Sequence, residues 1–346
     1  CLRLLDYGAL DMKPFLPGAV IRHDGRFHRL ADPWRQPLRA LESLVSPIGS
    51  LGDKLRIASL RGRLRRRSLD DLASASETTT RQRLAEYGFS ERMIDGFFRP
   101  FLGGVFLDDA LDTSSRMFEF VFKMFSEGDV VVPGAGMQAI PESIAAALPR
   151  DSVRLESPVE QVCGSRCVLG SGETLEADHI VVATDGNTAS RLLRGVESPR
   201  WRETVCLYFD AAEPPFDDPI LMLDGDGRGP ANNVCVMNRV APDYAPPGRF
   251  LVSVSVIDGS NVGDDELERA VRSQITGWFG PVVQDWRCLR QYRIPQALPI
   301  AGPHAMPTIA RTDGVIVCGD FLANPSINGA MASGREAAEA ILSISR

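Results

Sequence analysis

The C-terminal segment constrains the fold more than any other part of this chain. Gly314-Val-Ile-Val-Cys318 is a short apolar run, and Gly319 and Asp320 follow it directly. A stretch rich in turn residues then leads into a helical pattern from about residue 328 to 344. An apolar strand followed by a helix is typical of a parallel sheet covered by helices, because both faces of such a strand are buried. We therefore expect an α/β fold here, with a carboxylate just past the end of a buried strand.

Other patterns show that helices and sheet are mixed along the chain. Across residues 37–125 apolar residues recur every three or four positions, which predicts helices, one of them starting at the cap residue Ser90. Residues 264–279 predict another helix, and residues 204–256 are rich in strand-forming residues. Asp24-Gly25 is a two-residue hairpin signal. The expected fold class is α/β in its C-terminal part and α+β overall.

Charge excludes one class of function. The chain has 45 acidic residues against 38 basic ones, a net charge of −7, which argues against a nucleic-acid binder. The one basic block is Arg61-Gly-Arg-Leu-Arg-Arg-Arg67. Its simplest interpretation is a solvated helix face, and the alternative is a peripheral membrane contact supported by Leu60 and Leu64. No apolar run reaches the length of about 18 residues that a spanning helix needs.

The cysteines and histidines predict neither a disulfide framework nor a metal site. Seven cysteines are an odd number spread over the chain, which favours reduced thiols and a cytoplasmic protein. The alternative is a redox or disulfide pair between Cys163 and Cys167. The four histidines form no cluster with ligand spacing, so no metal is expected.

A glycine-rich segment offers a dinucleotide-binding alternative. Gly134-Ala-Gly136-Met-Gln-Ala139 follows an apolar run, and Glu156, which ends a predicted strand over residues 152–155, lies 22 residues after Gly134. Pro133 would remove a donor from a central strand, and Pro141 would fall inside a helix that starts at Gly136. An NAD(P)-binding oxidoreductase that uses Gly134–Ala139 therefore stays as an alternative that requires a helix beginning at Gly136.

Several segments together resemble the flavin-containing amine oxidoreductases, especially the protoporphyrinogen oxidase and phytoene desaturase branches. The most specific is Gly314-Val-Ile-Val-Cys-Gly-Asp320 with Pro325-Ser-Ile-Asn-Gly-Ala-Met-Ala-Ser-Gly334. Val132-Pro-Gly-Ala-Gly-Met137 is similar to a second motif, in which Ala135 replaces a glycine. Pro100-Phe-Leu-Gly-Gly104 resembles a third.

The resemblance implies an FAD-binding, Rossmann-like domain interleaved with a substrate domain of helices and antiparallel sheet. The implied substrate domain consists of residues 1–128 and 191–299, and the implied FAD-binding domain consists of residues 129–190 and 300–346. The residues implied to bind FAD are Gly134, Gly136 and Met137 near the isoalloxazine ring, Val159, Ala183 and Thr184 near the adenosine half, and Gly319, Asp320, Ile327, Asn328, Gly329 and Ala330 in the C-terminal segment.

The resemblance also implies the reaction, in which hydride passes from a substrate C–H bond to flavin N5. No catalytic residue is assigned. Some amine-oxidising members use a lysine beside the flavin, but the comparable strand around residues 204–208 has none. This departure favours an apolar, conjugated or cyclic small molecule over an amine.

The family's opening unit, with a true G-x-G-x-x-G, is not found before Asp6, and the chain begins with Cys1. We expect a chain that lacks about 60–70 residues of the family's usual length, the size of one such unit with its flanking segments. A cofactor-less fragment or binding module that keeps the fold is the remaining alternative. The sequence does not indicate an oligomeric state.

Overall fold

The computed structural model describes residues 4–32, 34–36, 38, 46–259, 261–300 and 309–344, so Cys1 and residues 39–45 of the predicted helical region lie outside it. The strands, numbered in chain order, are β1 (Met12–Pro14), β2 (Gly18–His23), β3 (Arg26–Ala31), β4 (Val131–Pro133), β5 (Val159–Cys163), β6 (Arg166–Leu169), β7 (Thr174–Glu176), β8 (Val181–Val182), β9 (Trp201–Ala211), β10 (Met222–Asp224), β11 (Ala231–Val236), β12 (Phe250–Ile257), β13 (Arg287–Pro299), β14 (Ile309–Thr312) and β15 (Val315–Cys318). The α-helices are α1 (Leu51–Arg66), α2 (Leu69–Ala73), α3 (Thr80–Glu86), α4 (Glu91–Met93), α5 (Arg99–Phe106), α6 (Ser115–Glu127), α7 (Ala139–Ala146), α8 (Gly186–Leu192), α9 (Met237–Val240), α10 (Asp264–Phe279) and α11 (Ile327–Ile344). A π-helical turn at Ile94–Phe98 joins α4 to α5.

The chain divides into two compact units that alternate along the sequence. Unit 1 contains residues 1–6, 140–201 and 298–346, and unit 2 contains residues 7–139 and 202–297. The domain boundaries that the resemblance implies stay predictions.

Unit 1 is built around a three-stranded sheet in the order β14-β15-β8. β8 runs parallel to β15, with Val182 opposite Val317. Val315 and Val317 pack on one face of β15 with residues of α8, while Ile316 and Cys318 pack on the other face against Ala337 of α11. Both faces of β15 are thus covered by helices, and the predicted α/β class is confirmed.

A second sheet of unit 1, in the order β5-β6-β7, is antiparallel. Cys163 and Cys167 lie on its first hairpin, and both thiols are free. The strand predicted over residues 152–155 is wrong, because this segment has no strand and Glu156 has a positive φ of 54°. A residue in the left-handed region breaks the extended backbone that a ladder needs.

Unit 2 contains a seven-stranded sheet in the order β13-β9-β12-β11-β10-β2-β3. β9, β12, β11 and β10 pair antiparallel in succession, and β10 is parallel to β2. The predicted hairpin joins β2 to β3, with positive φ at Asp24 and Gly25. One face of the sheet packs against α10 through Leu267, Val271 and Ile275.

Several helices of unit 2 begin at side-chain caps, as the sequence predicts for Ser90. The side chain of Ser90 accepts a hydrogen bond from the backbone N–H of Met93, and that of Ser50 caps α1 in the same way. Asp53 links the two starts, because its carboxylate accepts hydrogen bonds from the backbone N–H and hydroxyl groups of both Ser50 and Ser90. One buried carboxylate therefore fixes the first turns of α1 and α4.

The basic block lies on α1 and at its end. Arg61 pairs with Asp32 at 2.7 Å, and Arg67 pairs with Glu119 at 2.9 Å. Leu60 and Leu64 are buried in the helical core, so they are not available to a membrane surface. Among the described residues no helix is long and apolar enough to cross a bilayer.

Candidate functional site

The carboxyl ends of β8 and β15 meet at one edge of the unit 1 sheet. Ala183 and Thr184 follow β8, and Gly319 and Asp320 follow β15, so the parallel pairing places these four predicted residues side by side. A Cβ placed on Gly319 would lie 3.4 Å from the carbonyl oxygen of Thr184 and 2.6 Å from the ring of Phe321. Only glycine fits at this point without movement of the Phe321 ring. The carboxyl edge of a parallel sheet is where open α/β folds bind ligands.

Two carboxylates lie at this edge in different electrostatic states. Burial raises the pKa of Asp320, which the backbone N–H groups of Phe321 and Asp320 only partly offset, and nearby Asp185 adds to the rise. Burial would also raise the pKa of Asp185, but hydrogen bonds from Thr188 and from the backbone of Asn187 lower it overall. Asp185 is thereby committed to capping α8, whereas Asp320 is a half-buried acceptor that a ligand donor would stabilise.

The start of α11 is held against the same edge. Ser326 accepts a hydrogen bond from the backbone N–H of Gly329 at 3.0 Å. A Cβ on Gly329 would lie 2.0 Å from the carbonyl oxygen of Asn324, so this glycine allows the preceding loop to fold over the first turn. The buried hydroxyl of Ser333 accepts the backbone N–H of Gly319 at 3.0 Å. This bond ties the helix to the end of β15 and fixes where Ile327, Asn328 and Ala330 lie.

Val159 begins β5, in the other sheet of unit 1, opposite Leu169. The register shifts between Val159 and Gln161, which marks a bulge at Glu160. Val162 of the same strand packs against the core that contains Val182 and Val317. The sheet that carries Val159 is therefore packed onto the sheet that carries the edge.

The predicted residues Gly134, Gly136 and Met137 lie in unit 2, in the loop after β4. Gly134 approaches β1 closely, since a Cβ there would lie 2.8 Å from a carboxylate oxygen of Asp11. Gly136 has a φ of +94° and faces open space, and Met137 is half exposed. The Tyr244 hydroxyl donates a hydrogen bond to the carbonyl of Pro133 at 2.8 Å, which holds the start of the loop.

This loop does not have the geometry of a dinucleotide fingerprint. β4 pairs antiparallel with β1 in a two-stranded ribbon, whereas the fingerprint requires a central parallel strand. The following helix begins at Ala139 and not at Gly136. The condition set for the NAD(P)-binding alternative is therefore not met.

The groups at the unit 1 edge suit the FAD that the resemblance implies. A half-buried carboxylate at Asp320 can accept hydrogen bonds from ribityl or ribose hydroxyls. α11 is 18 residues long, and the positive end of its dipole lies beside that carboxylate's strand. A hydroxyl-rich, anionic nucleotide matches both features.

Unit 2 contains a cavity of about 540 Å³, a volume suited to a small-molecule ligand. Its walls come from the β2–β3 hairpin, α1, the π-helical turn, α5 and α6. The apolar lining residues are Phe15, Leu16, Pro17, Ala19, Leu30, Ala31, Trp34, Ile48, Leu55, Ile57, Ala58, Met93, Phe97, Phe101, Val105, Phe122, Phe125, Val130 and Leu221. Phe97 and Phe101 stack with ring centroids 5.4 Å apart, so much of one wall is aromatic.

The polar groups of this cavity are few and mostly basic. Asp32 is paired with Arg61, and the Arg61 guanidinium lies over the ring of Trp34 at 4.5 Å. Its Nε is buried without a hydrogen-bond partner among the described residues. Among the described residues, Arg35 and Lys54 complete the charged lining, which therefore has three basic residues and one acidic residue.

Several of these residues were not identified from the sequence. Ser333 lies within the C-terminal motif, but a serine among small helical residues gives no sign that its hydroxyl accepts a hydrogen bond from the end of a strand. Tyr244 lies in a proline-rich loop about 110 residues from the loop that it holds, so no local pattern connects them. The cavity residues range from Phe15 to Leu221, and only the folded structure brings them together.

One of three comparisons with known proteins identifies a family. A family model described as flavin containing amine oxidoreductase matches residues 7–342. A cyclohexylamine oxidase from Brevibacterium oxydans is 16% identical, with a TM-score of 0.67 over 97% of this chain and 82% of that one. An oxidoreductase from Methanosarcina mazei is 14% identical, with a TM-score of 0.65 over 94% and 87%. At such identities these likenesses show the fold alone. A search of curated proteins gives no match.

Proposed function

The chain belongs to the family of flavin-containing amine oxidoreductases, and from this premise we propose that it dehydrogenates an apolar cyclic or conjugated small molecule. The protein is an FAD-dependent oxidoreductase. The substrate is the proposed part, and the apolar cavity of unit 2 is the observation that supports it.

The lining of the cavity favours an uncharged, apolar substrate over a protonated amine. Stacked aromatic rings and aliphatic side chains give contact area but almost no hydrogen-bonding groups. An ammonium group would meet three basic side chains, while Asp32, the one carboxylate that the described part of the chain contributes, is already paired with Arg61. Burying a charge against like charges costs free energy, so an amine is the less favoured ligand.

In this proposal the unit 1 edge holds the cofactor. Asp320 accepts hydrogen bonds from ribityl or ribose hydroxyls, and Gly319, Ala183 and Thr184 leave room for the nucleotide beside the strand ends. The start of α11, from Ile327 to Ala330, favours negative charge. The backbone at Val159 reads the adenine. Bound FAD supplies the oxidant that takes up hydride at flavin N5.

The chain's own contribution to the reaction is binding and exclusion of water. Strand β9 has no lysine, and in the described part of the chain no acid–base pair lines the apolar cavity apart from the ion pair of Asp32 and Arg61. Dehydrogenation removes a hydride and a proton from the substrate. The cation left by hydride transfer is acidic enough to lose its proton to solvent, so no base of the chain is required once the substrate is correctly oriented. The aromatic wall around Phe97 and Phe101 orients the substrate and excludes water from the reacting carbon.

The test is anaerobic mixing of the FAD-loaded protein with two probes, a porphyrinogen as a large apolar ring and cyclohexylamine as a small amine. The flavin absorbance should bleach at least about tenfold faster with the porphyrinogen, because only the larger ring fills an apolar cavity of this size. Faster bleaching by cyclohexylamine would overturn the substrate assignment.

A pair of variants tests whether the substrate binds in the apolar cavity. Val105→Phe narrows it, and Val282→Phe adds the same bulk at an exposed position outside it. We expect Val105→Phe to raise the KM for the porphyrinogen several-fold, with unchanged bleaching by dithionite, and Val282→Phe to leave both unchanged. An equal KM in both variants would show that the substrate binds elsewhere.

A further inference from the structure

A second cavity of unit 2, with a volume of about 700 Å³, shares no lining residue with the apolar one. It lies where β9, β12 and β13 present Asp210, Leu251 and Leu289. The loop that contains Tyr244 and Pro246 forms a side wall. The lining therefore combines an apolar floor and wall with one charged cluster.

The charged cluster is a carboxylate held between two guanidinium groups. Arg249 Nε donates to one oxygen of Asp210 at 2.7 Å, and an Nη of Arg287 donates to the other at 3.0 Å. In the part of the chain that the structure describes, neither side chain has another hydrogen-bond partner. Since a guanidinium group has five N–H donors, most of the donors of both arginines are left for a ligand or water.

The balance of charge at this cluster selects the sign of a ligand. Two arginines and one aspartate leave the lining with one net positive charge. The hydrogen bond from Arg249 lowers the pKa of Asp210, so this carboxylate stays ionised and satisfied. A cationic ligand would meet both guanidinium groups, whereas a carboxylate would find unused N–H donors on both of them, and guanidinium groups pair well with carboxylates.

We infer that this cavity is a binding site for an organic monoanion, a carboxylate with an apolar body. The carboxylate binds Arg249 and Arg287, and the apolar body lies on Leu251 and Leu289 against Pro246. The assignment does not rest on the proposed function, because the two cavities share no residue. Tyr244 connects the site to the loop after β4, since it lines this cavity and donates to Pro133.

The test uses a matched pair of fluorescent probes, 1-pyrenebutyrate and its uncharged amide, titrated into the FAD-loaded protein at low ionic strength. The acid should bind at least about tenfold more tightly than the amide, as expected for charge-assisted, bidentate hydrogen bonds. Equal affinities for acid and amide would overturn the inference. The amide also measures any binding in the apolar cavity.

Two variants test whether Arg249 and Arg287 cause the tighter binding of 1-pyrenebutyrate over its amide. Arg249→Met and Arg287→Met should each reduce it to about twofold or less, because the bidentate contact is lost. Arg290→Met is the matched control, since Arg290 lies on the same strand as Arg287 but stacks over Tyr292 outside the cavity. Persistence of the preference in the Arg249→Met, Arg287→Met double variant would place the anion elsewhere and overturn the inference.

A competition experiment separates the carboxylate from other anions. Cyclohexanecarboxylate should displace 1-pyrenebutyrate at concentrations at least about tenfold below those of inorganic phosphate, because only the former has an apolar body for Leu251 and Leu289. Displacement by phosphate at the lower concentration would show a phosphate site and overturn the assignment.

Discussion

The two units bury side chains of very different size. The largest fully buried side chains among the described residues, such as Phe98, Phe118, Phe209 and Leu64, all lie in unit 2. The fully buried side chains of unit 1 are small, such as those of Val315, Val317 and Ala189. Its larger buried residues, such as Phe321 and Leu193, keep 3% and 5% of their area exposed, and its helix α7 has no buried residue. Because hydrophobic stabilisation scales with the apolar area buried, unit 2 is stabilised mainly by its own core. Unit 1 contains the proposed nucleotide edge, and we expect a bound ligand to contribute much of its stability.

The largest expected effect is a core truncation in unit 2. Phe98 is fully buried, and its ring lies 4.9 Å from that of Phe89 and 6.3 Å from that of Phe118. Phe98→Ala should lower the free energy of unfolding by about 3–5 kcal/mol, and Val317→Ala in unit 1 by about 1–3 kcal/mol. Urea unfolding, monitored by hydrogen exchange of amides in each unit, measures the loss of stability in both variants. Equal losses would contradict the difference between the two cores.

The second effect is the loss of the shared cap in unit 2. Burial alone would raise the pKa of Asp53, but the hydrogen bonds from Ser50 and Ser90 lower it from 3.8 to about 2. The shift corresponds to about 2 kcal/mol of stability, which is present above pH 3.8 and is lost as the pH falls through about 2.

Asp53→Asn should therefore lower the free energy of unfolding at neutral pH and flatten its dependence on pH below 4, as measured by urea titrations at several pH values. Asp71→Asn is the control, because Asp71 is the N3 residue of the capping box of α2 but is exposed. An unchanged acid limb in Asp53→Asn would show that this carboxylate does not link the two helices.

Elements that depend on neighbouring residues were predicted from the sequence. Contacts between residues far apart in the sequence were not. The hairpin at Asp24-Gly25, the cap at Ser90 and the helix over residues 264–279 match the structure because each depends on neighbouring residues. The strand predicted over residues 152–155 is wrong because alternating apolar and polar residues alone do not show whether a partner strand exists. The double role of Asp53 was not predicted, since Ser90 lies 37 residues away.

The candidate sites show the same contrast between residues within one segment, which were predicted, and residues from distant segments, which were not. The edge residues Gly319 and Asp320 were predicted because the C-terminal segment resembles the cofactor-binding segment of the family, and its strand, turn and helix follow one another within a short stretch. The apolar cavity and the cluster of Asp210, Arg249 and Arg287 could not be named, because their members come from separate strands and helices. Their chemistry depends on register across the sheet, which the sequence of one chain does not specify.

A smaller effect compares two glycines of the same helix in unit 1. A Cβ on Gly329 would lie 2.0 Å from the backbone carbonyl of Asn324, whereas one on Gly334 would meet nothing within 4 Å. Gly329→Ala should cost about 1–3 kcal/mol, and Gly334→Ala should stabilise α11 by about 0.5–1 kcal/mol. Thermal unfolding with and without FAD measures both. If Gly329→Ala were as stable as Gly334→Ala, the loop before α11 would not be packed on its first turn.

The smallest effect on stability comes with a large expected effect on binding, at Asp320. Because burial raises the pKa of this carboxyl group, the folded state binds its proton more tightly, and stability falls as the pH rises above 3.8 through the raised pKa. Asp320→Asn should therefore leave stability at neutral pH unchanged or slightly higher, while it weakens FAD binding by about tenfold or more through the lost charged acceptor. Flavin fluorescence titration measures the affinity, and Asp313→Asn, in the exposed turn between β14 and β15, is the control. A variant that loses stability but keeps its FAD affinity would make Asp320 a structural turn residue, and the nucleotide edge of unit 1 would then need another acceptor.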